Sequence, residues 1–209
     1  MDNIKKKIKK VIGNINRIGL KNRDFTIISN NCWGGFVYQK FNLKYNTPFI
    51  GLFIFAPDYI ELLENFEVLI NKELYFIEAE ESKYKEELIK NNTFNKYPIA
   101  KLGENVEIHF LHYHSKEEAN DKWKERCLRI NKDNLLVKFS DKDKCYDDLI
   151  IRFDRLKFKN KICFSAKEFK SCNSVITIRE FYGDDFVRDE WKYYNRYINI
   201  KELLNSLNR

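Results

Sequence analysis

Residues 30–35 read Asn-Asn-Cys-Trp-Gly-Gly. Those side chains supply a potential nucleophile, two amides that bind hydroxyls, a ring that can stack, and backbone open to close approach. The preceding "FTIIS" is apolar and β-branched enough for a buried strand, and "GGFVYQKF" can start a helix. Asn30, Asn31, Cys32, Trp33 and Gly34 then form the turn between them, at the carboxyl end of a strand, where open α/β sheets bind ligands. A thiol there lies close to unpaired helix N–H groups and the positive end of the helix dipole, and both favour thiolate. Gly34 and Gly35 would let a substrate approach, and their N–H groups would hold an oxyanion. The alternative readings of Cys32 are a wall that touches a ligand and plain core packing. Adjacent amides at a strand end are poor core formers, so sugar recognition fits Asn30 and Asn31.

All three histidines fall in "HFLHYH", as His109, His112 and His114. On a strand His112 and His114 share one face while His109 points the other way, and no carboxylate lies within the stretch, so no metal site is expected. His112 is the candidate general acid, general base or hydroxyl ligand, with a structural role as the alternative. In the following "SKEEANDKWKERCLRIN", Ser115 and Glu118 have capping-box spacing. Trp123, Cys127 and Ile130 make an apolar stripe. Lys122, Arg126 and Arg129 make a second one, which would clamp a phosphate or carboxylate, or merely solvate the helix through Glu118–Lys122 and Glu125–Arg129 pairs.

The elements that must carry these residues alternate. "FTIIS", "FIGLFIF", "ELYFIEA", "NLLVKF", "KICFS" and "VITIRE" read as strands, with helical patterns from about Gly35 to Phe41, opening at Pro57 and Asp58, at "SKYKEELIK" and at "KCYDDLIIRFDRL". Alternation of this kind predicts a largely parallel sheet covered on both faces. "YPIAKLG" and "VEIHFLHY", joined by "EN", read as a hairpin. The expected architecture is an α/β fold, a three-layer α/β/α sandwich with a mixed, largely parallel sheet and an inserted β-hairpin. A basic amphipathic helix over residues 1–22 precedes a single α/β domain over residues 23–209.

The net charge of +7 is concentrated. Residues 1–23 hold eight Lys and Arg residues against Asp2 alone, which accounts for all of it. The remainder is balanced and has no nucleic-acid-binding motif, so no nucleic-acid partner is expected. Ile4, Ile8, Val11, Ile12, Ile15 and Ile18 lie on one face of this segment. Two readings stand: a helix at the surface of an anionic membrane through residues 1–20, or a first helix docked on the core with a solvated basic face. Five cysteines without CxxC spacing, no signal peptide and no apolar run near the roughly 20 residues of a membrane span predict free thiols and a cytoplasmic protein, with the inner membrane face as the peripheral alternative.

"SNNCWGG", "YNTPFIGLFIFAPDYIELLENF", "EIHFLHY", "DKWKER", "RINKDNLLVKF" and the late "DEW" occur in an order that resembles the family called domain of unknown function 1919, over nearly all of the chain after residue 22. Members of that family are often labelled exopolysaccharide or capsule biosynthesis proteins. The resemblance implies a sugar-containing substrate: a nucleotide sugar, an acyl donor with its acceptor, or a lipid-linked glycan. It also adds Trp123 and Asn131 to the substrate-binding candidates Asn30, Asn31, Trp33, Gly34, Gly35, Arg126 and Arg129, beside the catalytic candidates Cys32 and His112. The expected function is transfer, acyl or glycosyl, onto a sugar-containing precursor, the rival being a non-catalytic carbohydrate-binding or regulatory subunit. No motif names a cofactor.

Overall fold

The computed structural model of the chain describes residues 2–207. Met1, Asn208, Arg209 and the side chains of residues 2, 3, 5 and 6, among them Lys5 and Lys6 of the basic segment, lie outside the described residues. The elements run α1 (Asp2–Asn16), β1 (Thr26–Ser29), α2 (Trp33–Lys40), α3 (Ala56–Glu64), α4 (Phe66–Leu69), β2 (Leu74–Ile77), α5 (Lys85–Lys90), β3 (Ile99–Leu102), β4 (Val106–His109), α6 (Lys116–Cys127), β5 (Leu135–Ser140), α7 (Asp147–Arg155), β6 (Lys161–Ser165), β7 (Val175–Thr177), α8 (Glu190–Tyr193) and α9 (Ile200–Ser206).

Four strands form a parallel sheet in the order β1-β5-β6-β7, and three form an antiparallel sheet in the order β2-β3-β4. Side chains along the parallel strands alternate between two cores, as a pleat requires. Ile27, Leu136, Ile162 and Phe164 pack under α2 and α9, while Ile28, Val137, Phe139 and Cys163 pack under α3 and α7. Burial on both faces explains why these strands are apolar almost throughout. The α/β class and the parallel character expected from the alternation are both present, as is the β3–β4 hairpin.

The sheet is joined differently from the expectation. "FIGLFIF" is not a strand; it makes one antiparallel bridge, Phe53 to His109, and Ile54 N donates to Asn30 O at 2.9 Å. Those few bonds stitch the antiparallel sheet to the free edge of β1. Gly51 sits at φ 70°, and Ile50 N turns back onto Pro48 O, so the segment cannot stay extended despite its β-branched composition. "HFLHYH" also leaves the strand early. β4 ends at His109, after which Leu111 N bonds His109 O and Tyr113 N bonds Phe110 O in consecutive turns.

The Ser115–Glu118 spacing does cap α6. Ser115 Oγ accepts from Glu118 N at 3.1 Å, and the Glu118 carboxylate accepts from His114 N at 2.9 Å. Among the described residues no helix is long and apolar enough to cross a membrane, and all five cysteines are free thiols.

Candidate functional site

A cavity of about 350 Å³ opens at the carboxyl ends of β1 and β5. The turn after β1 contributes Asn31, Cys32 and Trp33, the loop after β5 contributes Lys142 and Asp143, and the start of α8 contributes Asp189, Glu190 and Trp191. Phe53 and Phe55 form its back wall. At the mouth the rings of Phe36 and Trp191 lie 5.5 Å apart, both exposed. Stretches far apart in sequence meet here because two parallel strands end side by side.

Under the cavity floor lies a closed polar cluster. Lys138, wholly buried on β5, contacts Glu190 Oε1 and Ser140 Oγ and donates to Asn31 Oδ1 at 3.1 Å. Ser140 Oγ donates to Glu190 Oε2 at 2.8 Å, and Asn31 Nδ2 donates to Glu190 Oε1 at 2.8 Å. Burial pulls the Lys138 pKa down, and the Glu190 carboxylate opposes that shift. Asn31 Oδ1 further accepts from Trp33 N at 3.1 Å, capping the first turn of α2. Every polar atom of the Asn31 side chain therefore has a partner inside the protein, and these bonds organise the turn. Asn30 is fully buried, and its side-chain atoms have no partner; it does not line the cavity.

Cys32 lines the cavity, half-buried, with Sγ 3.9 Å from Leu52 O. Burial raises its pKa, and the nearby Lys142 and Lys138 only partly offset this. The direction is opposite to the expected thiolate enrichment, because desolvation outweighs the charges of the two lysines. Among the described residues no base hydrogen-bonds the thiol. Gly34 and Gly35 are buried and do not line the cavity; a Cβ on Gly34 would come within 3.1 Å of Ile27 Cγ2, so this glycine lets α2 lie close on β1.

His112 is exposed in a turn and is not part of the cavity lining. Of the three histidines the buried one is His109, stacked on Phe53 at 4.7 Å and edge-on to Phe55 at 5.1 Å. Neither ring nitrogen has a hydrogen-bond partner. Desolvation lowers its pKa to about 3, so the ring is neutral at physiological pH and the Glu107 carboxylate at 3.9 Å is no ion-pair partner. It backs the aromatic wall from behind.

The residues on α6 and in the turn that follows its end at Cys127 go elsewhere. Trp123 is core, edge-on to Phe49 and Phe110. Arg126 donates to Tyr113 Oη at 2.6 Å and covers the Tyr45 ring, and Arg129 donates to Tyr45 O and pairs with Glu125. Both arginines open onto a separate groove beside α1. Asn131 bonds Thr26 Oγ1 through its backbone and Asp24 through its side chain, bracing the approach to β1. The expected joint site of Cys32, His112 and the arginines is therefore split three ways.

Sequence reasoning passed over the residues that remain chemically free. Lys142 and Asp143 make no side-chain hydrogen bond or ion pair among the described residues, whereas Glu190 is held by Lys138 and Asp189 by Lys192. Asp143 has φ 58°, a strained value for a residue other than glycine, and its carbonyl accepts from Ala56 N at 2.9 Å, fixing it against the start of α3. Burial raises its carboxyl pKa, with Lys142 opposing. Asp141, next in the loop, accepts from Val187 N, Ala166 N and Ser165 Oγ at 2.8, 2.6 and 2.9 Å, which anchors the segment leading into α8. The signal was available: "SDKD" follows a parallel strand, the same position that singled out Cys32.

The model of the family described as Domain of unknown function (DUF1919) matches residues 3–208, so the similarity includes α1 as well as the α/β body. An uncharacterized protein of Haemophilus influenzae is 34% identical over 190 residues, covering 87% of this chain and 85% of that one.

Proposed function

The chain belongs to the DUF1919 family, and from that premise we propose that it is a transferase of bacterial surface-polysaccharide biosynthesis, acting on a sugar-containing precursor bound between Cys32 and Trp191. The observation that carries this reading is the pairing of an exposed aromatic platform, Phe36 and Trp191, with an unpartnered cation and an unpartnered carboxylate, Lys142 and Asp143, in one cavity. Apolar sugar faces stack on rings, and the remaining charges suit the reacting end of an activated precursor. Asp143, its pKa raised by burial, would take the proton from an attacking sugar hydroxyl. Lys142 would hold the phosphate that leaves or stays with the donor. Lys138, Glu190 and Asn31 would position the turn without touching the reacting atoms.

This assignment favours transfer to a hydroxyl by carboxylate assistance over a covalent cysteine intermediate, since Cys32 has neither a base nor a lowered pKa. The test is titration of the full chain with nucleoside diphosphate sugars, acyl-coenzyme A thioesters and polyprenyl-phosphate-linked sugars, followed by tryptophan fluorescence and product mass analysis. One class should bind. Trp191→Ala should weaken it by about three- to tenfold, Lys142→Ala by about tenfold or more, and Asp143→Asn should keep binding while lowering turnover by about a hundredfold. Cys32→Ser should change either by less than about fivefold. Turnover lost in Cys32→Ser and kept in Asp143→Asn would overturn the carboxylate role, and binding without turnover in the unaltered protein would make this a carbohydrate-binding subunit.

A further inference from the structure

We infer that α1 is a docking surface for an anionic lipid bilayer. The helix is attached to the body with its polarity reversed. Gly13 is its one buried residue among those described, and a Cβ there would fall 2.6 Å from Asn42 Cβ, so only glycine allows this approach. Around it the attachment is polar. Asn42 Nδ2 donates to Asn14 Oδ1 at 2.8 Å, Asn16 Nδ2 to Lys40 O at 3.0 Å, and Arg17 Nη1 to Asn42 O at 3.4 Å.

The opposite face carries the aliphatic residues. Ile4, Ile8, Val11, Ile12, Ile15 and Ile18 are each more than half exposed. This overturns the expectation that the apolar stripe of the segment would be its core-facing side. A contiguous apolar row on a surface helix marks an interaction site, and its surroundings identify the partner. The groove along α1 is lined by Lys9, Lys10 and Lys44, and also by Lys122 and Arg129, which pair with Glu125, and by Arg126, which bonds Tyr113; Ile12 stands at its edge. Cationic and aliphatic rows that adjoin in this way fit a negatively charged bilayer, the aliphatic side chains entering the acyl boundary and the cations meeting the phosphates. The docking would hold the Cys32–Trp191 cavity near a membrane, but it stands on the geometry of α1 alone.

The test is co-sedimentation of the full chain with vesicles of phosphatidylcholine alone or with about one third phosphatidylglycerol. Binding is expected to the anionic vesicles only, and to fall by about tenfold or more as salt rises from about 0.05 M to about 0.5 M. Ile8→Glu with Ile12→Glu should reduce it by at least about tenfold while thermal unfolding is unchanged, because neither side chain contributes to the core. Equal binding to neutral vesicles, no binding at low salt, or binding that survives both substitutions would overturn the inference. So would light scattering that finds a dimer which the same two substitutions convert to monomer, since the face would then belong to a second copy.

Discussion

Lys138 and the lysines of α1 put one side chain into opposite surroundings. Lys138 is wholly buried on a central strand, with a carboxylate, an amide and a hydroxyl around its ammonium. Lys7, Lys9 and Lys10 stand in solvent on a helix whose apolar face is also in solvent. The contrast teaches where charge acts structurally. A buried ion tolerates no missing partner, so its neighbours are specified one by one. An exposed one is screened within about 8–10 Å and matters only as part of a field. The cavity floor is built in the first way and the α1 surface in the second.

The most severe way to break the comparison is to remove one partner of the buried pair. Glu190→Ala should destabilise the fold by about 3–5 kcal/mol, because it leaves the Lys138 ammonium uncompensated; urea unfolding measures it. Replacing both residues, Lys138→Met with Glu190→Leu, should recover much of that loss, since the cost lies in the orphaned charge. A loss below about 1 kcal/mol in the single variant would mean that solvent reaches the cluster and that Lys138 is no different in kind from the α1 lysines.

His109 sharpens the same point, as a buried base whose ring nitrogens have no hydrogen-bond partner among the described residues. Its pKa falls from the ordinary 6.5 to about 3 in the fold, so between those pH values the unfolded chain binds a proton that the folded chain does not. Stability from this group is complete above pH 6.5 and is lost as pH falls toward 3, by on the order of 5 kcal/mol in all at about 1.4 kcal/mol per pH unit. His109→Phe should therefore unfold less readily than the unaltered protein at pH 4.5, by more than it does at pH 7.5. Parallel melting curves across that range, with identical dependence in the two proteins, would show that the ring is already solvated.

The smallest effect belongs to the exposed side. Lys9→Met and Lys10→Met should each shift unfolding by no more than about 0.5 kcal/mol. A larger shift in either would mean that the α1 lysines hold the helix to the body, and the contrast with Lys138 would weaken.

Much of the scaffold was legible in the chain. "NLLVKF" and "KICFS" could be placed as buried strands because apolar runs of that length between turn signals have few other uses. "FIGLFIF" misled because propensity sees β-branched and aromatic side chains but not the turn at Gly51 that ends the extension. "VEIHFLHY" misled for a related reason: its apolar run reads as one strand, whereas consecutive turns after His109 take His112 away from the cavity. Of the cavity lining, the sequence singles out the Cys32 turn and not the loop after β5. Lys142 and Asp143 look like ordinary loop charges until β5 is known to run beside β1. Lys138 had a local signal, a lone charge inside an otherwise apolar strand, which in a sheet covered on both faces demands a counter-ion.

What the sequence determined by itself is periodic or compositional: the α/β class, the hairpin, the Ser115 cap, the concentration of charge in the first 23 residues and the amphipathic pattern of α1. Each depends on neighbours within a few positions, where backbone geometry alone relates side chains. Tertiary structure decided which side of α1 faces out, which polar groups are satisfied and which charges are left free. Glu190 reaches Lys138 across 52 positions, and Arg126 of α6 and Arg129 just beyond it are drawn to Tyr45 and Tyr113 and away from Cys32. Such pairings follow from strand order and helix docking, and no local spacing encodes them, because the partner of a buried charge is whatever the fold brings within hydrogen-bond reach.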